Sequence, residues 1–214
     1  MNFIGIDFSL NSPGVVVLND KLSFISFLKP GTGTKADQAM QSHISQLPNV
    51  VLVNQPVYQT SKDFSSQELL KINRFINMAD SMIELIKSKI NEGPCVFGFE
   101  GVSYGSNGGT NNLIDMAAAA AIFKYKIINS FDNINNILTV APSTIKKHAG
   151  KGNMGKRELW DVFVENRLQD QNLSDLEFFQ YLQTLEIGNS VPKPLDDLVD
   201  AYFLANYLSS LEAL

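Results

Sequence analysis

Phe3-Ile4-Gly5-Ile6-Asp7 is a short apolar run that ends on a carboxylate, and Val96-Phe97-Gly98-Phe99-Glu100 is a second run of the same form. Runs of this length and composition read as strands buried in a sheet. A carboxylate at the end of such a strand is hard to justify as packing. An unpaired charge in a low-dielectric interior costs several kcal/mol, comparable with the whole stability of a domain. Two more acids, Asp197 and Asp200, open an apolar C-terminal stretch. They are three residues apart, so on a helix they share a face and can reach one point. Carboxylate oxygens that converge in this way favour Mg²⁺ or Mn²⁺.

Outward from the first run, Gly14–Asn19 and Leu22–Leu28 read as strands, with turn signals at Asn11-Ser12-Pro13-Gly14 and Asn19-Asp20. The first thirty residues are therefore predicted to form an antiparallel meander. Pro30–Lys35 reads as loop, Val50–Val53 as a buried strand and residues 54–64 as irregular. Ser65-Ser66-Gln67-Glu68 has the form of a capping box. It opens a long amphipathic helix whose positions Leu69, Ile72, Ile76, Met82, Ile83 and Ile86 keep helical spacing until Gly93-Pro94. After the strand ending at Glu100 come a Gly/Ser/Asn loop, an alanine-rich helix over Leu113–Ile128 and a strand over Ile137–Ala141. The five alanines Ala117–Ala121 predict close packing against a sheet or a neighbouring helix. Leu159–Leu168 and Leu173–Leu185 read as helices, followed by the turn-rich Val191-Pro192-Lys193-Pro194. Strand, helix, strand, helix, strand implies parallel pairing, joined here to the opening hairpins. The predicted class is α/β, a mixed sheet flanked by helices.

At 214 residues with 44% hydrophobic content the chain suits one domain with a proper core. Its single cysteine, Cys95, lies in an apolar run and reads as a buried structural thiol in a reducing cytoplasm. Neither a membrane span nor a signal peptide is visible. A net charge of −5 argues mildly against coating nucleic acid by bulk electrostatics. The distribution says more. Lys146, Lys147, His148, Lys151, Lys156 and Arg157 fall within twelve positions that contain no acid.

Each acid also has an ordinary reading. Asp196, after Pro194-Leu195, is a good N-cap, and Asp197 in the first turn would be favoured by the helix dipole whatever its role. Asp200 lies beyond the first turn, so its alternative is a salt bridge to a lysine. Asp7 and Glu100 taken singly could be turn acids, yet both sit at the sheet edge where α/β folds place ligands. Two ions held by such acids can activate water and stabilise the leaving oxygen in an in-line attack on a phosphodiester.

These residues, in this order, resemble the RuvC family of Holliday-junction resolvases, of the RNase H-like superfamily. Gly5-Ile6-Asp7-Phe8-Ser9 with Gly14 looks like that family's first strand and turn, and Glu100-Gly101-Val102 like its second acid. Asp197-Leu198-Val199-Asp200-Ala201 looks like its closing helix. Ala141-Pro142-Ser143-Thr144-Ile145-Lys146-Lys147, with Gly150-Lys151-Gly152 and Lys156, is similar to its loop of a proline, a lysine, a G-x-G and a second lysine. The resemblance implies an RNase H-like fold and two Mg²⁺ ions, replaceable by Mn²⁺, bound by Asp7, Glu100, Asp197 and Asp200. It further implies phosphate contact or charge neutralisation by Lys156 and by Lys146 or Lys147. Lys151 lies in the same segment, and Gly150 and Gly152 let backbone approach DNA. The implied substrate is branched DNA, above all four-way junctions, cut by a homodimer.

The gaps from Asp7 to Glu100 and from Lys156 to Asp197 look longer than in a minimal member, so residues 30–64 and 160–194 read as insertions. Tyr104 stands near the place of the family's stacking aromatic, displaced from it, and reads equally as a loop anchor. A longer, divergent member suits a virus or mobile element, acting in the host-cell cytoplasm. Two competing classes are a non-catalytic RNase H-like scaffold and an actin-like kinase. The kinase needs two nucleotide-binding lobes, for which 214 residues leave no room.

Overall fold

The computed structural model describes residues 1–29, 31, 33–101, 110–132, 134–169, 177–188 and 190–212. Six strands form one sheet: β1 (Asn2–Asp7), β2 (Gly14–Leu18), β3 (Leu22–Leu28), β4 (Val50–Asn54), β5 (Cys95–Glu100) and β6 (Ile134–Val140), in the spatial order β4-β3-β2-β1-β5-β6. β1, β2 and β3 make the expected antiparallel meander. β4 adds in parallel beside β3 at one edge, while β5 pairs in parallel with β1 and β6 with β5. The sheet is mixed, as predicted.

The apolar runs bury both faces, because alternate residues of one strand enter different cores. Ile4, Ile6, Val15, Val17, Ile25, Phe27, Phe97 and Phe99 pack against α2 (Phe64–Lys87) and α3 (Thr110–Ser130). Val16, Phe24 and Val140 point the other way. There they meet α1 (Lys35–Ile44), α4 (Pro142–Ala149), α5 (Lys156–Gln169), α6 (Glu177–Gln183) and α7 (Leu195–Glu212). Phe163 anchors this second core, with Tyr202 4.9 Å and Phe179 5.5 Å away between ring centroids. No helix is long and apolar enough to cross a membrane among the described residues.

Several local expectations are corrected. The N-cap of α2 is Asp63, whose side chain accepts a hydrogen bond from the Ser66 amide at 2.8 Å, so the helix begins at Phe64 rather than after Ser65. A carboxylate both caps the free amides and meets the positive end of the helix dipole. α1 follows a capping box between Thr34 and Asp37 that the pattern of apolar residues did not disclose. Pro142–Lys147, read as loop, is the body of α4, with Pro142 in the first turn where its missing N–H costs nothing. In α3 the alanines do not all face the core: Ala119 is buried, but Ala117, Ala118 and Ala121 are exposed. The two predicted insertions contain α1 and β4 in the first, most of α5 and all of α6 in the second.

Candidate metal centre

β1 and β5 lie side by side with Ile6 opposite Phe99, so Asp7 and Glu100 emerge together from the carboxyl ends of neighbouring strands. Strand residues two apart share a face. Gly5 and Asp7 therefore look to the same side, as do Gly98 and Glu100, and α7 covers that side. A Cβ on Gly5 would overlap the Ala201 carbonyl and lie 2.6 Å from the Ala205 amide nitrogen. One on Gly98 would lie 2.8 Å from the Leu208 side chain, and one on Gly14 would sit 2.5 Å from the Asp197 carbonyl. The three glycines form a bare floor on which α7 rests, and this lowers its first two turns onto the sheet edge that carries the acids.

As a result Asp7, Glu100 and Asp200 each bring one carboxylate oxygen to within 4.8 Å of the others. Asp7 and Glu100 are hydrogen-bonded to each other. Burial pushes Asp7 well above the ordinary carboxylate range, and the charges of Glu100, Asp197 and Asp200 push it the same way. Burial also raises Glu100, although Asp7, Lys156 and Lys146 pull it back. Asp200, with its side chain 12% exposed, is raised to about 7 by burial first and then by Glu100. Three acids held so close without a cation resist ionisation together.

Asp197 lies next to this group rather than inside it. One of its oxygens accepts from Ser12 Oγ at 2.6 Å, and the other is ion-paired with Lys193. Burial raises Asp197, and Asp196 adds to the effect. Asp196 is not the N-cap, because α7 begins at Leu195 and Asp196 falls in its first turn. Its Oδ2 accepts from Lys156 at 2.5 Å and from Lys193 at 3.0 Å, while its buried Oδ1 has no hydrogen-bond partner among the described residues. For Asp200 the alternative of a lysine partner is met only loosely, by Lys156 at 4.0 Å. Burial works against the charge on Lys156 and on Lys193, yet the neighbouring aspartates outweigh it and raise both. Ser12, Lys193 and the true partners of Asp196 were missed in the sequence, where only the proximity of Lys193 to the acids hinted at them.

The basic segment is less free than its composition implies. Lys151 pairs with Glu158 at 2.7 Å, Lys156 with Asp196, and Arg157 with Asp161 at 2.9 Å and the Gly188 carbonyl at 3.0 Å. Lys146 and Lys147, in the last turn of α4, make no ion pair among the described residues, and Lys147 is exposed. Gly150 caps α4 and Gly152 is exposed, with a Cβ there 3.3 Å from the Ser143 carbonyl. Tyr104 lies outside the described residues.

The donor set fits a hard divalent cation. All three convergent ligands are carboxylate oxygens, and neither Asp7 nor Glu100 has an ion-pair partner among the described residues. A cation placed among them would offset the burial and the mutual repulsion that together raise Asp7 and Asp200.

The fold is similar to those of Holliday-junction resolvases. Thermus thermophilus RuvC is 15% identical, with 99% of this chain and 97% of that one covered and a TM-score of 0.50. T. thermophilus RuvC in complex with Holliday junction substrate is 13% identical, with 99% and 96% covered and a TM-score of 0.50. The yeast mitochondrial Holliday junction resolvase Ydc2 is 10% identical over 94% of this chain and 75% of its own, with a TM-score of 0.49. No protein-family model matches the sequence, and no curated protein does. The likeness is one of fold: the chain has a RuvC-like RNase H fold, as its motifs imply.

Proposed function

We propose that this protein is a metal-dependent endodeoxyribonuclease that cuts branched DNA, with four-way junctions as its principal substrate. The observation that carries this reading is the convergence of Asp7, Glu100 and Asp200 at one edge of a RuvC-like sheet. These three, with Asp197 beside them, would hold two Mg²⁺ ions, which Mn²⁺ can replace. Bound there, the ions supply the positive charge that activates water and stabilises the leaving oxygen. The chain's own residues do the rest. Lys156, held at the rim by Asp196, presents a point charge to the scissile phosphate. Lys146, whose charge reaches Glu100, and Lys147 and Lys151 beside it position the flanking backbone. Gly150 and Gly152 leave the approach unobstructed by side chains, and Tyr104, by its position in the sequence after the second acid, is the candidate for contact with the branch point.

The reading includes a homodimer. On α3, Ile114, Tyr125 and Ile128 are 61%, 68% and 61% exposed, with Ala117, Ala118 and Ala121 exposed between them. The spacing makes one apolar stripe, and it is self-complementary about Ala121. Two antiparallel copies place Ile114 against Ile128 and Ala117 against Tyr125, as a two-fold axis requires. Residues 30–64 and 160–194 are read as additions to a minimal nuclease core. Asp7→Asn tests the assignment: cleavage of a synthetic four-way junction should be abolished while junction binding stays largely intact. Cleavage at the wild-type rate would remove Asp7 from the site.

A further inference from the structure

We propose that Lys193 is a built-in counter-cation of the metal centre, whose ammonium group occupies the Asp197 position and competes there with a divalent ion. The proposal rests on the reading of the acids as metal ligands. It starts from an asymmetry among them. Asp7, Glu100 and Asp200 bring one oxygen each to within 4.8 Å of the others, and no lysine comes closer to any of them than the 4.0 Å from Lys156 to Asp200 among the described residues, whereas both oxygens of Asp197 are engaged, one by Ser12 Oγ at 2.6 Å and the other by Lys193. Asp197 can therefore ligate a cation through the Lys193-bound oxygen only if the ammonium leaves.

Lys193 is placed for that exchange. Its backbone is fixed: the Gln41 side chain of α1 donates to the Lys193 carbonyl at 3.0 Å. The following turn is closed by the Leu195 amide on the Pro192 carbonyl at 2.8 Å and the Leu198 amide on the Pro194 carbonyl at 3.0 Å. Its side chain is another matter. It is 36% exposed, while the Asp196 and Asp197 side chains it contacts are 6% and 4% exposed. The flexible stem can move outward into water without disturbing the aspartates. Asp196 would keep its second lysine, Lys156, at 2.5 Å throughout, so removal of Lys193 from the pair leaves no bare buried charge there. Ser12 keeps Asp197 oriented. In the metal-free protein the ammonium offsets the crowded carboxylates, and the arriving cation takes over that task.

Like charges set the size of the effect. Even with water-like screening, a monovalent charge about 5 Å from a divalent one is worth about tenfold in affinity. The test is Mn²⁺ titration by calorimetry together with thermal unfolding in EDTA, on the wild type, Lys193→Gln and Lys193→Arg. Lys193→Met, which keeps the apolar stem, serves as a second neutral variant. The expected result is Mn²⁺ binding about tenfold tighter in both neutral variants, with Lys193→Arg close to the wild type. In EDTA the neutral variants should melt below the wild type, and saturating Mn²⁺ should close that gap. Unchanged or weaker Mn²⁺ binding in the neutral variants would make Lys193 a strut alone and overturn the proposal. Failure of the wild type to bind Mn²⁺ at all would instead overturn the metal reading on which it rests.

Discussion

Asp200→Asn separates two properties of the acid cluster, its cost to the fold and its use in binding a cation. In the folded chain Asp200 titrates at about 7 against an ordinary carboxylate value of 3.8, chiefly because it is buried and faces Glu100. Between those values the folded protein holds a proton that the unfolded chain has released. Stability therefore falls as pH rises through this window, the reverse of the usual salt-bridged aspartate. Three pKa units at about 1.4 kcal/mol each give about 4 kcal/mol for the whole window. Asp7 and Glu100 are also raised and add in the same direction. Asparagine cannot ionise, and its presence also removes one of the charges that raise Asp7. Urea denaturation in EDTA should show the variant more stable than the wild type at pH 8, by about 4 kcal/mol, with the two curves converging near pH 4. Added Mg²⁺ should stabilise the wild type and leave the variant little changed. A variant less stable than the wild type at pH 8, or one with the same pH slope, would refute the reasoning.

Two further substitutions probe the frame and the rim. Gly5→Ala places a Cβ against the backbone of Ala201 and Ala205, which cannot swing aside, so a loss of about 3 kcal/mol is expected by chemical denaturation. Because α7 would lift from the sheet edge, Mn²⁺ binding by the surviving folded protein should weaken as well. Lys156→Met should lower single-turnover cleavage by about 100-fold and leave Mn²⁺ binding no weaker, because in the proposed function Lys156 supplies charge to the phosphate and is not a metal ligand.

The strand-end acids were legible because Asp7 and Glu100 each interrupt a run that is otherwise apolar, and the meander was legible from its turn residues. The D-x-x-D spacing in α7 points to Asp200, which lies beside Asp7 and Glu100 in the fold. It could not show that Asp197 is already engaged by Ser12, a partner 185 residues away in sequence. Local pattern makes Asp196 a cap, since it rewards an acid after Pro194-Leu195, whereas its partners Lys156 and Lys193 are set by the packing of α5 and the turn before α7. The basic segment misled for the same reason. The window from Lys146 to Arg157 holds no acid, but Glu158 and Asp161 lie just past its end and Asp196 arrives from the C-terminal helix. The short helices α1 and α4 carry too few apolar positions for periodicity to register, and only the Thr34–Asp37 capping box and Pro142 marked them. A usable signal went unread: Gly5-Ile6-Asp7 and Gly98-Phe99-Glu100 share a glycine two residues before the acid, which is the side-chain-free floor beneath α7.

The most direct test of the account is cleavage of a synthetic four-way junction by the purified protein, with and without Mg²⁺, beside duplex, flap and single-stranded DNA of the same sequence. Cleavage should require the cation, favour the four-way junction and fall at symmetry-related positions on two strands. A folded protein that binds the junction and leaves every substrate uncut in Mg²⁺ and in Mn²⁺ would contradict it.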